Sequence, residues 1–171
     1  MTERRAGSDE RAQTFLEAYE SHDTAQAFLE QKLHRHGYTV EEMGIDKRHE
    51  DIDDPSVIPD LRVSRHGQVR GYLEPKSKSA EYANWFGRLN YRHFKEYCEF
   101  AEDMERPVIL YFAVVDDSMH GSPVVREGFC PVVDENQIVD RMVPNSNPNT
   151  VVELDERDFH SWPWLINTLE T

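Results

Sequence analysis

The alternation of apolar and polar positions is most regular between residues 58 and 76, which read IPDLRVSRHGQVRGYLEPK. Alternation with a period of two on both sides of His66-Gly67 predicts a two-stranded hairpin with one apolar face and one polar face. The apolar face would carry the odd positions Leu61, Val63, Val69, Gly71, Leu73 and Pro75. The polar face would carry the even positions Asp60, Arg62, Ser64, Gln68, Arg70, Tyr72, Glu74 and Lys76.

The segments around the hairpin predict helices and a buried strand. Apolar residues recur every three or four positions from Thr14 to Leu33, and they do so again between Ser79 and Met104. The second of these helices could begin anywhere from Ala80 to Gly87. Residues 108–115, VILYFAVV, form a continuous apolar run that is typical of a strand buried on both faces. With a short strand near residues 38–45, this order (αβββαβ) predicts a mixed α/β fold whose central mixed β-sheet is flanked by helices.

The length of the chain favours a single domain. A chain of 171 residues can bury a substantial core. We expect a flexible N-terminus over residues 1–12 and one domain over 13–171, with a core at 21–115 and a C-terminal elaboration at 116–171. The sequence has no apolar run near the ~20 residues of a membrane span, and its beginning lacks a hydrophobic signal segment. We therefore expect a cytoplasmic protein that does not interact with a membrane.

The charge balance is strongly acidic. The chain has 33 acidic and 19 basic residues, a net charge of −14, and only five lysines. Self-repulsion at this charge is relieved by salt, which suggests a halophilic source such as a haloarchaeon or its virus. A protein this acidic is a poor general binder of DNA, but high salt screens the repulsion as well as the attraction. The charge balance lowers the expectation of nucleic-acid binding without excluding it.

The length of the hairpin turn decides whether the three charged residues Asp60, Glu74 and Lys76 converge. A two-residue loop at His66-Gly67 would point Asp60 away from Glu74. A three-residue loop, which also includes Arg65, places Gly67 in the left-handed position that such loops favour. In that register Asp60 lies diagonal to Glu74 on the same face, with Cβ atoms about 7 Å apart. We therefore predict the three-residue loop.

Two carboxylates at that separation repel each other unless a cation lies between them. Hard divalent ions such as Mg²⁺ are bound by carboxylate, carbonyl and water oxygens. A neighbouring lysine can stabilise the charge that develops on a phosphate and help to align or deprotonate a metal-bound water. The pattern is therefore compatible with metal-assisted hydrolysis of phosphodiester bonds.

The motif and its context resemble a known superfamily. Pro59-Asp60, a hairpin and Glu74-Pro75-Lys76, preceded by a helix and followed by a helix and a buried strand, resemble the PD-(D/E)xK nucleases. This superfamily includes restriction endonucleases, Holliday-junction resolvases and phage exonucleases. The resemblance covers roughly residues 21–115 and implies a restriction-endonuclease-like core.

The resemblance also implies roles for individual residues. Asp60 and Glu74 would bind Mg²⁺, for which Mn²⁺ can substitute, and the backbone carbonyl of Pro75 would be the third ligand. Lys76 would complete the catalytic set Asp60, Glu74 and Lys76. A residue of the first helix, either Gln26 or Glu30, would complete this metal site or a second one.

Pro75 departs from the family pattern, in which this position is usually a small or β-branched apolar residue. Proline cannot donate a hydrogen bond to a neighbouring strand and is disfavoured in central strands. We therefore expect an edge, an end or a bulge of the strand at Pro75. Its carbonyl oxygen would remain available to a metal.

Four basic residues are candidate contacts to nucleic acid. Lys78 extends the polar face of the hairpin, while Arg88, Arg92 and Lys95 would share one side of the predicted second helix. The alternative is an ordinary solvated surface paired with Glu96 and Glu99. The resulting prediction is a nuclease acting on DNA rather than RNA, in a superfamily that often forms homodimers. The competing hypothesis is a catalytically inactive module of the same fold that binds nucleic acid or another protein.

Overall fold

The computed structural model describes residues 20–43, 57–80, 87–116, 118–119, 122–134, 136, 142–143 and 150–171. The predicted flexible N-terminus lies outside these ranges. The helices and strands are α1 (20–35), β1 (Thr39–Glu42), β2 (Leu61–Arg65), β3 (Gln68–Ser79), β4 (Gly87–Asn90), α2 (Tyr91–Met104), β5 (Val108–Val115), β6 (Val124–Val132), β7 (Met142–Val143), β8 (Val151–Leu154) and α3 (Trp162–Glu170).

A mixed five-stranded sheet organises the fold. Its strand order is β1-β2-β3-β5-β6, with β3 and β5 parallel and the other neighbours antiparallel. A second sheet has the order β4-β8-β7. The predicted mixed α/β class with a central mixed sheet and flanking helices is confirmed. The predicted C-terminal elaboration supplies β6 to the main sheet. It also contains β7 and β8, which belong to the second sheet, and helix α3.

Helices cover both faces of the main sheet. On one face, Ala25, Leu29 and Leu33 of α1, spaced four residues apart, pack against the odd-numbered residues of β5 together with α3. On the other face, Phe94 and Tyr97 of α2 pack against the even-numbered residues. All eight residues of β5 are buried, as the continuous apolar run predicts.

The hairpin between β2 and β3 closes through a two-residue turn, so the prediction of a three-residue loop is wrong. His66 and Gly67 have φ values of 52° and 75°, the left-handed pair that a type I′ turn requires. Next to the turn, Arg65 pairs with Gln68. The register then shifts, and beyond a bulge at Arg70 the partner of Leu61 is Leu73.

The bulge restores the alignment that a two-residue turn alone would lose. The extra residue advances β3 by one position, so that Asp60, just before β2, comes next to Glu74. It also moves Val69 to the α2 side of the sheet, whereas Val63 packs on the α1 side. The predicted division into one apolar and one polar face is therefore wrong for β3, where Tyr72 and Glu74 are both buried.

The second helix begins later than its apolar period predicts. Residues 87–90 form strand β4, which pairs with β8, and α2 begins at Tyr91. The side chain of Asn90 caps the helix by accepting a hydrogen bond from the backbone N–H of Arg92 at 2.9 Å. Because the partner strand of β4 lies more than 60 residues away in the sequence, local periodicity could not indicate it. The predicted αβββαβ order therefore gains a strand before α2.

Candidate functional site

Glu74 lies in the middle of β3, where it pairs with Leu110 of the neighbouring central strand. Its side chain is only 5% exposed. One carboxylate oxygen, Oε1, accepts a hydrogen bond from Lys76 Nζ at 2.5 Å, and Oε2 accepts one from the backbone N–H of Asp60 at 3.0 Å. The structure thus brings together the three residues that the sequence predicts, around one buried carboxylate.

Asp60 is fixed through its backbone and presents its side chain to solvent. Its carbonyl oxygen accepts a hydrogen bond from the N–H of Met43 at 2.7 Å, just after β1. Its carboxylate is 38% exposed and lies 3.7 Å from Nε2 of His22 on α1. The site therefore pairs a buried carboxylate with an accessible one.

His22 is a site residue that the sequence reasoning missed. The two first-helix candidates, Gln26 and Glu30, lie one and two turns further along α1. Gln26 donates hydrogen bonds to Glu30 and to Glu42 of β1, each at 2.9 Å. The role predicted for Gln26 or Glu30 remains a prediction, and the first-helix residue in contact with Asp60 is His22.

Helix α2 contributes two further residues, Tyr97 and His93, which follow the same period of three and four positions as the apolar residues of this helix. Tyr97 is 1% exposed and its hydroxyl is hydrogen-bonded to Glu74. Burial, followed by the charge and hydrogen bond of Glu74, raises the pKa of Tyr97, so that its phenol stays protonated. One turn earlier, burial and the nearby Lys76 ammonium lower the pKa of His93. The only sequence signal for this pair was their four-residue spacing on one helix face.

Pro75 is buried and continues to pair with β5, yet its position is compatible with a proline. The N–H of Tyr72 donates to Pro107 O at 2.9 Å, on the β5 side. Because main-chain groups alternate in direction along a strand, those of Pro75 point to the β2 side. There β2 begins at Leu61, opposite Leu73, so the ladder ends before it reaches Pro75. At Pro75 the strand therefore lacks a partner only on the β2 side and stays paired with β5. The carbonyl of Pro75 points to the side on which Asp60 lies.

The donor chemistry suits a hard divalent cation. The described residues include no group of three or more His, Cys, Asp or Glu side chains placed to hold a metal. The motif itself offers two carboxylates, from Asp60 and Glu74, and the main-chain carbonyl of Pro75. Mg²⁺ keeps several waters and is commonly bound through one or two carboxylates, so this all-oxygen set is sufficient for it.

The basic residues predicted to contact nucleic acid fall into two groups. Arg88 lies in β4, not on the helix, and forms an ion pair with Glu153 directly opposite on β8. The prediction that it shares a helical side with Arg92 and Lys95 is therefore wrong. Lys78 lies near Arg88 and Glu153, and burial together with the Arg88 charge lowers the Lys78 pKa.

Arg92 and Lys95 of α2 agree with the alternative of an ordinary solvated surface, in which they pair with Glu96 and Glu99. Arg92 contacts Glu96 at 2.8 Å, and Lys95 lies 4.0 Å from Glu99. Both are i, i+4 pairs on the exposed side of the helix, where such pairs contribute little to stability.

Fold and site together describe a mixed α/β protein with an aspartate, a glutamate and a lysine converging on the central strands of its sheet. No protein-family model matches the chain, and no curated protein matches it. Among solved structures, the chain is similar to Hjc, a Holliday junction resolvase from the archaeal hyperthermophile Archaeoglobus fulgidus. The identity is 14% and the TM-score 0.48, over 84% of this chain and 96% of the resolvase. No helix in the described ranges is long and apolar enough to cross a membrane.

Proposed function

We propose that the protein is a divalent-metal-dependent nuclease that hydrolyses phosphodiester bonds in DNA, with Asp60, Glu74 and Lys76 as its catalytic set. The observation that carries the proposal is the Glu74 carboxylate, 5% exposed on a central strand and held by Lys76 Nζ at 2.5 Å. An ion pair whose carboxylate is buried is costly to desolvate, and an apolar pair of similar volume often stabilises a fold better. Such a pair beside a second, accessible carboxylate is therefore a candidate for function.

The proposed cofactor is Mg²⁺, with Mn²⁺ as a substitute, held by Asp60, Glu74 and the carbonyl oxygen of Pro75. When bound, such a cation polarises a phosphoryl oxygen and lowers the pKa of a coordinated water. The Lys76 ammonium stabilises the negative charge that accumulates on the phosphate during attack. Tyr97 donates to Glu74 and, together with the Asp60 N–H, fixes the orientation of its carboxylate.

The proposal is tested with a panel of labelled substrates: duplex DNA, single-stranded DNA, a four-way DNA junction and RNA of the same sequence. Each substrate is incubated with Mg²⁺, with Mn²⁺ and with EDTA, at low and at high salt because the chain carries a net charge of −14. We expect cleavage of at least one DNA substrate that EDTA abolishes. Binding of DNA without cleavage, and without a calorimetric signal for a divalent cation, would instead favour the catalytically inactive module.

Substitution of Arg88 and substitution of Glu153 should change the affinity for DNA in opposite directions. If Arg88 contacts a phosphate, its ion pair with Glu153 competes with that contact. Arg88→Gln should weaken DNA binding and reduce the slope of log K against log salt by about one, whereas Glu153→Gln should strengthen binding. Fluorescence anisotropy over a salt series measures both effects.

The matched control for this prediction is the ion pair of Arg126 with Glu156, at 2.7 Å and exposed on both sides. Arg126→Gln should leave the salt slope unchanged. Equal effects of Arg88→Gln and Arg126→Gln would mean that only net charge matters, and would remove Arg88 from the binding surface.

A further inference from the structure

His93 occupies a defined place above the proposed catalytic lysine. On α2 it precedes Tyr97 by four residues, a rise of about 6 Å. On β3, Lys76 follows Glu74 by two residues, a rise of about 6.6 Å. Tyr97 is hydrogen-bonded to Glu74, and the ring of Phe100, three residues later, packs edge-on against Tyr72 with ring centres 4.9 Å apart. Helix α2 therefore runs antiparallel to β3, which places His93 over Lys76. The charges of Lys76 and Glu74 both act on the His93 imidazole, in agreement with this placement.

The His93 ring is half-buried at this position. Within the described ranges its ring nitrogens have no hydrogen-bond or ion-pair partner. Burial, the Lys76 ammonium and Arg92 lower the His93 pKa, while Glu96 and Glu74 act in the opposite direction. The ring is therefore neutral at pH 7 and has one nitrogen with a free lone pair.

Hydrolysis requires a group that accepts a proton from the attacking water. The sequence allows Lys76 to take this proton, but its Nζ donates to the buried Glu74 carboxylate at 2.5 Å. An ammonium held in this way has no lone pair with which to accept a proton. The carboxylates of Asp60 and Glu74 are the proposed ligands of the cation. The site contains two imidazoles. His22 lies against the Asp60 carboxylate at 3.7 Å, whereas the neutral imidazole of His93 lies beside Lys76 and has the required chemistry.

We propose that His93 is a catalytic residue that accepts the proton of the attacking water, an assignment that rests on the proposed nuclease function. The water oxygen forms a bond to phosphorus, the bond between phosphorus and the leaving sugar oxygen breaks, and the water proton moves to the His93 imidazole. The leaving oxygen takes a proton from solvent, and His93 returns its own to solvent. One water is consumed in each cycle.

The test compares His93→Gln and His93→Ala with the wild type, and with His34→Ala as a control at the exposed end of α1. In the wild type, kcat/KM should fall on the acid side with an apparent pKa below the ordinary value of 6.5. We expect His93→Gln to lower kcat on the order of 100-fold at neutral pH and to remove the acid limb, with an unchanged Kd for DNA. Added imidazole should restore part of the activity of His93→Ala, which a purely structural role would not allow.

A second readout does not depend on activity. The ring of His93, assigned in a proton NMR titration by its absence from His93→Gln, should titrate below 6.5 in the free protein. Circular dichroism and thermal melts establish that both variants are folded. If His93→Ala does not fold, the isosteric His93→Gln carries the comparison alone.

The outcomes separate this assignment from the proposed function. If Glu74→Gln is inactive while His93→Gln keeps the wild-type pH profile, or changes KM alone, then only the assignment of His93 is overturned. If the wild type cleaves no nucleic acid with any cation, both the nuclease function and the assignment fail.

Discussion

Glu74→Gln should lower the rate of DNA cleavage by roughly 1,000-fold while the chain stays folded. Glutamine preserves the shape of the side chain and one oxygen that can accept the N–H of Asp60, but it removes the charge. The site thereby loses an anionic oxygen for the cation, and the Lys76 ammonium loses its partner at 2.5 Å. The measurement is single-turnover cleavage at saturating Mg²⁺, with calorimetric titration of the cation as a second readout.

The control for this variant is Glu156→Gln, which removes one carboxylate charge at the surface, where Glu156 pairs with Arg126. It should cleave at the wild-type rate. A thermal melt should show that Glu74→Gln is folded but less stable than the wild type, because one amide oxygen replaces two carboxylate oxygens while the buried Tyr97 hydroxyl and the Asp60 N–H still need acceptors. Undiminished cleavage by Glu74→Gln would remove Glu74 from the catalytic set.

Glu127→Ala should lower stability more than Glu74→Gln or Glu156→Ala, because Glu127 of β6 joins its own strand to α1, α3 and β5. Its Oε1 accepts hydrogen bonds from Lys32 of α1 at 2.6 Å and from the indole N–H of Trp162 of α3 at 2.5 Å. Its Oε2 accepts one from the hydroxyl of Tyr111 on β5 at 2.9 Å. The Lys32 ammonium also lies 4.2 Å from the centre of the Trp162 ring, a cation–π contact within the same cluster.

Removal of this carboxylate leaves donors without an acceptor in a largely buried place. Tyr111 is fully buried, so its hydroxyl cannot turn to solvent. We expect the free energy of unfolding to fall by about 3 kcal/mol, measured by urea denaturation. Glu156→Ala, which breaks an exposed ion pair, should change it by less than about 0.5 kcal/mol. A loss below about 1 kcal/mol for Glu127→Ala would mean that water replaces the lost contacts.

The sequence predicts those parts of the fold whose signals are local. The continuous apolar run of residues 108–115 identifies β5 as a strand buried on both faces, and the four-residue spacing of Leu29 and Leu33 identifies the inner side of α1. Strand β4 could not be predicted in this way, because residues 87–90 become a strand only through pairing with β8. Its sequence fits the helical period of α2 equally well, and a distant contact decides between the two.

The same distinction between local signals and distant contacts applies to the residues of the candidate site. The convergence of Asp60 with Glu74 and Lys76 follows from strand alternation, although the prediction reached it through the wrong turn. His22, His93 and Tyr97 belong to helices whose packing onto the sheet is a tertiary property. The spacing of polar residues within the hairpin carries no information about them.

The bulge at Arg70 has a consequence for how this hairpin can change in length. A two-residue turn with one extra residue in β3 and a three-residue turn with none both leave Asp60 and Glu74 on the same face. Arg70 is the one residue of this stretch that has no partner on β2, because Val69 pairs with Ser64 and Gly71 pairs with Val63. Deletion of Arg70 would therefore remove the bulge and leave every pair from Arg65–Gln68 to Leu61–Leu73 in place, with Asp60 still beside Glu74. The hairpin can thus lose one residue at this position without separating the two carboxylates.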